Sequence, residues 1–110
     1  MEGKVFDYLH GKHYELETFS NEIVTVESAG EVIRVGIKNE LGMVYSWWEP
    51  QHPFFENRTL PKQAGWEVTI KTITDDKIRV ILAKGGKRHI LTLTCTNAGI
   101  KPKPIRVTWE

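Results

Sequence analysis

Apolar and polar residues alternate along most of the chain, the period of a half-buried β-strand rather than of a helix. The pattern predicts a strand over Glu22–Glu27 with Val24 and Val26 on one face. Ser28-Ala-Gly30 reads as a tight turn, and Glu31–Asn39 returns with Ile33, Val35 and Ile37 inward. Gly36, inside that second strand, marks a bulge or a close backbone approach. From Trp66 the alternation is cleaner. Trp66, Val68 and Ile70 share one face, and Asp75-Asp76 makes a turn. Lys77–Lys84 follows with Ile78, Val80 and Leu82 aligned. Gly85-Gly86 is a two-residue hairpin signal, after which His89–Thr96 places Leu91, Leu93 and Cys95 inward. Ile105, Val107 and Trp109 point one way in the last strand. Pro102 and Pro104 before it cannot donate ladder bonds, which assigns the segment around them to a sheet edge.

Upstream, His13–Phe19 reads as a first strand, while residues 5–10 fit neither pattern clearly. The sole long region without a strand pattern is 46–65, and its three prolines argue against a helix. Seven or eight short strands with turns every 8 to 12 residues predict an all-β, immunoglobulin-like antiparallel β-sandwich, with a small β-barrel as the alternative.

One stretch breaks the alternation. Five aromatic residues fall between Tyr45 and Phe55, in Tyr45-Ser-Trp-Trp-Glu-Pro-Gln-His-Pro-Phe-Phe55. Aromatic rings carry large apolar area, so such a density is either sealed into a core or left as a contact surface. Neighbouring side chains on an extended backbone project to opposite faces. Parity with Tyr45 assigns Trp47 to the core and leaves Trp48 exposed, and Phe54-Phe55 repeats the problem. Exposed indoles stack on sugar rings and anchor protein interfaces. The expected contact surface is therefore Trp48, Phe54 and Phe55 with His52 as a polar neighbour. Glu49, Gln51, Asn57 and Arg58 would supply polar groups beside a stacked sugar. The competing expectation is that 46–65 folds over an open end of the sandwich and hides its own rings.

The totals narrow the function classes. At 110 residues the chain is long enough to close one domain over 1–110 without metals or disulfides. Fifteen basic against 14 acidic residues leave a net charge of +1, with no excess of cations for nucleic acid. The nearest approach is Lys84-Gly-Gly-Lys-Arg-His89, whose cations keep a hairpin tip solvated. No run of 18 apolar residues is present to insert in a membrane, and residues 1–20 lack the apolar segment of a signal peptide.

Catalytic signatures are missing from the spacing. Cys95 is the single cysteine, so no intrachain disulfide forms and the redox compartment stays open. Its parity with Leu91 and Leu93 predicts a buried, inert thiol. The histidines His10, His13, His52 and His89 sit at no recognised metal spacing. Glu49 and Glu56 flank the aromatic loop and are the only suggestive carboxylate pair, whose plainer role is to keep that loop soluble. No phosphate-binding glycine loop or nucleophile elbow occurs. Metal, cofactor and enzyme are accordingly not expected. Asn57-Arg-Thr59 satisfies the glycosylation triplet, which matters only in a secreted eukaryotic protein.

The Ser28-Ala-Gly-Glu31 turn between Val/Ile-rich strands resembles the opening of the BACON domains, immunoglobulin-like modules of Bacteroidetes surface proteins. Ser46-Trp-Trp-Glu-Pro50 and the Arg-x-Ile-x-Thr-x-Thr run from Arg88 to Thr94 follow in that family's order. The likeness spans roughly 22–110; the insert 51–65 is longer, and the chain ends Val-Thr-Trp-Glu where the family tends to end in Gln. The resemblance implies a seven-stranded module of larger secreted or phage proteins, hence an extracytoplasmic or cell-surface place. The function expected is a non-catalytic interaction or spacer module contacting a protein partner or neighbouring domains. The alternatives are carbohydrate binding, and a small protease inhibitor that would present loops at one end.

Overall fold

The computed structural model describes residues 4–6, 13–29, 32–95 and 105–110. The alternating segments are strands: β1 Lys4–Phe6, β2 His13–Glu17, β3 Ile23–Ala29, β4 Val32–Lys38, β5 Val44–Trp48, β6 Asn57–Thr59, β7 Glu67–Thr74, β8 Lys77–Lys84, β9 Lys87–Cys95 and β10 Ile105–Trp109. Eight of these have five residues or more, while β1 and β6 are three-residue edge strands. They form two sheets, ordered β1-β10-β9-β8-β7-β6 and β2-β3-β4-β5, with antiparallel pairing throughout. The molecule is an antiparallel β-sandwich, as the periodicity predicts. Strands β2–β5 and β6–β10 each form a meander, and β1 joins the second beside β10. The chain begins in one sheet, builds all of the other, and returns through residues 49–56 to complete the first.

The core lies between the sheets. Leu16, Val24, Val26, Ile33, Val35 and Ile37 face Val68, Ile70, Ile78, Val80, Leu82, Leu91, Leu93 and Val107, all buried. Trp66, Cys95, Ile105 and Trp109 are buried as well, so every described residue that the alternation of the regular strands placed inward lies in the core, because a period of two assigns each strand's faces once its register is set. The β8–β9 register is set by Gly85 and Gly86, whose φ angles of +60° and +81° build the tight turn that pairs Lys84 with Lys87.

One expectation is corrected. The region 46–65 is not strandless, since β5 runs into it and β6 lies inside it, pairing Asn57 with Lys71 and Thr59 with Thr69. Pro102 and Pro104, and with them the expected sheet edge, lie outside the described residues; β10 pairs with β9 along its length and with β1 over Val107–Trp109. Gly36 is buried at the centre of its sheet, opposite Thr25 on one side and Trp47 on the other. The irregularity sits next to it, where β5 spends an extra residue between Val44 and Ser46 against the step from Lys38 to Ile37.

Candidate functional site

The aromatic segment closes one end of the sandwich. Its geometry begins with the irregularity in β5, which changes the parity of the strand beyond it. Past that point Ser46 lies opposite Ile37 and Trp48 opposite Val35. Residues directly opposite in an antiparallel pair share a face, and Val35 faces the core, so Trp48 does too. Trp48 is only 3% exposed, and its indole Nε1–H donates to the Glu56 carboxylate at 2.5 Å. The assignment of Trp48 to the surface is thus overturned, because parity carried across a bulge inverts. The side chains of Tyr45, Ser46 and Trp47 lie outside those the structure describes.

Beyond Trp48, Pro50 is also buried, and the chain turns across the end of the opposite sheet through a cis His52–Pro53 bond. The Phe54 amide donates to the Asp75 carbonyl at 2.9 Å, which ties the loop to the β7–β8 turn. That bond directs the Phe54 ring inward, where it is fully buried. Phe54 is therefore also removed from the predicted contact surface. Phe55 remains on it, 72% exposed. Ile73, near the end of the adjoining β7, is also exposed, at 45%.

The polar residues nominated with the rings take up local partners. Glu49 pairs with Arg34 at 3.0 Å, and Arg58 with Glu56 at 3.3 Å. Glu56 rather than Glu49 or Arg58 serves the indole, and its carbonyl accepts from the Thr72 hydroxyl at 2.7 Å. His52 is not a solvated neighbour of exposed rings. Its side chain is 13% exposed, edge-on to Phe54 at 5.6 Å between centroids, with Nε2 2.8 Å from Asp76 Oδ1.

Asp76 leads to a residue set that spacing along the chain does not reveal. The Cys95 amide donates to the Asp76 carbonyl at 2.7 Å, and Cys95 is buried as its strand parity predicts. A His52 ring nitrogen, an Asp76 carboxylate oxygen and the Cys95 sulfur lie within 4.8 Å of one another. Part of this was readable: the Gly85-Gly86 turn sets a β8–β9 register that, carried one pair beyond Lys77↔Thr94, brings Asp76 to Cys95. No sequence signal brings His52 there, since its position depends on the loop folding back over the sheet end.

The opposite end holds no nominated residue but is equally organised. His89 stacks between Phe19 and Trp109, with centroids 4.7 and 4.5 Å away. The Phe19 amide approaches Nε2 at 2.9 Å and Nδ1 lies 2.9 Å from the Glu110 carbonyl, so the tautomer that satisfies both carries its proton on Nδ1. No family model, curated protein or solved structure matches this chain.

Proposed function

We propose that the protein is a non-catalytic contact module that docks a protein partner through Phe55, just before the β6 edge strand. One observation carries the reading. Phe54 and Trp48 anchor the loop in the core, while Phe55 between them and β6 stands 72% exposed on a backbone those anchors hold. A ring presented by an anchored loop loses little conformational freedom on binding, the property of an interface hot spot. The Arg58–Glu56 ion pair follows Phe55 directly in the chain and supplies a charged neighbour of the kind found at an interface rim.

A photo-crosslinking residue at position 55, with a second at exposed Leu41 as control, tests this in source cells. The expected result is a discrete protein adduct from position 55 alone, whose purified partner binds the Phe55→Asp variant at least about thirty-fold more weakly. Unchanged partner affinity in Phe55→Asp would overturn the reading. A glycan array positive for wild type and blank for Phe55→Ala would transfer the same surface to a sugar.

A further inference from the structure

The geometry points to a second site, separate from the contact surface: His52, Asp76 and Cys95 form a three-ligand site for a divalent first-row transition ion, with zinc as its reference occupant. The three residues come from the 49–56 loop, the β7–β8 turn and the last position of β9, and their donor atoms converge within 4.8 Å. In a tetrahedral zinc site, nitrogen, oxygen and sulfur ligands sit about 2.0–2.3 Å from the ion, which places them roughly 3.3–3.6 Å from one another. The His52–Asp76 separation of 2.8 Å lies just inside that spacing, and movements of about an ångström complete the shell.

The donor set is selective. Imidazole, carboxylate and thiolate together suit zinc and its neighbours, whereas magnesium and calcium take oxygen shells. Burial is graded across the site: Cys95 is 5% exposed, the His52 side chain 13% and the Asp76 side chain 50%. An ion would thus sit with its soft ligand in the core and its open fourth position toward solvent, where water completes the shell. On binding, the Cys95 S–H bond breaks, its proton passes to solvent and a metal–sulfur bond forms, so uptake weakens as pH falls. The alternative is a cluster closed by its own hydrogen bonds, with the His52–Asp76 pair merely fastening the loop.

Titration of the purified, reduced chain with zinc chloride and with cobalt(II) chloride separates the two. The expected result is one ion per chain, a cobalt adduct with tetrahedral visible bands and thiolate-to-cobalt absorption in the near ultraviolet, and a rise in Tm with zinc. Cys95→Ser should lose the thiolate absorption, and His52→Ala and Asp76→Asn should each weaken zinc binding by at least about ten-fold. Circular dichroism of each variant establishes folding. If Cys95→Ser does not fold, the wild-type cobalt spectrum and the other two variants carry the decision. Absence of stoichiometric uptake, a cobalt spectrum lacking the thiolate band, or affinities unmoved in His52→Ala and Asp76→Asn would overturn the site.

Discussion

Phe54 and Phe55 are chemically identical neighbours, and their surroundings give them opposite roles. Removing the buried ring deletes transfer energy and leaves a cavity. Phe54→Ala should therefore cost about 3–5 kcal/mol of stability, whereas Phe55→Ala, at 72% exposure, should change it by no more than about 0.5 kcal/mol. Urea unfolding of both variants checks the contrast, and equal losses would contradict the burial on which the contact surface depends. Trp48 illustrates the same rule with a polar handle. A buried indole needs an acceptor for its N–H, and Glu56 provides one from eight residues away. The sequence shows both residues, but nothing in their spacing announces the pairing.

At the scale of elements, the strands were legible and the segment between β5 and β6 was not. The inward positions of β3, β4, β8 and β9, and of β7 as far as Thr72, keep one parity, so they follow from period two alone. In β5 a single extra residue interrupts the count, and every parity argument beyond it changes sign. The loop that follows looks irregular yet is tied to the sandwich, as is the chain just beyond β6. Its Phe54 amide is bonded to Asp75 O, and the Leu60 amide, just after β6, to Val68 O at 2.8 Å. Both amides should be protected in hydrogen exchange to a degree comparable with neighbouring strands, unlike those of a solvated loop. Exchange at coil rates for Phe54 would mean that the loop opens independently of the sandwich, and with it His52 would leave Asp76.

Across the whole molecule, the two sheets are pinned at the end opposite the aromatic loop by a half-buried ion pair. Glu22, just before β3, accepts from the Lys84 ammonium at 2.7 Å, and Lys84 also reaches Ser20 at 3.2 Å and lies 5.6 Å from the Trp66 ring centre. Burial pushes the Glu22 carboxyl up, but the hydrogen bonds from Lys84 and Ser20 and the Lys84 charge outweigh it, holding the carboxyl below its ordinary value near 4.5. A carboxyl that titrates lower when folded contributes stability that is fully present above its unfolded value. That contribution fades as pH falls through the lower, folded value. Stability should therefore fall on acidification below about 4.5, and Glu22→Gln should flatten that part of the profile. Thermal melts at a series of pH values measure both slopes, and identical acid limbs would exclude the pair as a contributor.

The primary structure by itself determined the β class, the inward residues of the regular strands and the burial of Cys95. Each follows from local periodicity and turn chemistry, which act over a few residues. It also determined that Asp76 meets Cys95, because a two-residue glycine turn sets the register of the whole β8–β9 hairpin. Tertiary structure alone decided which aromatic rings face water and where His52 comes to rest. Those outcomes depend on a bulge in β5 and on a loop packing against a distant sheet end, and both are set by contacts between residues far apart in the chain.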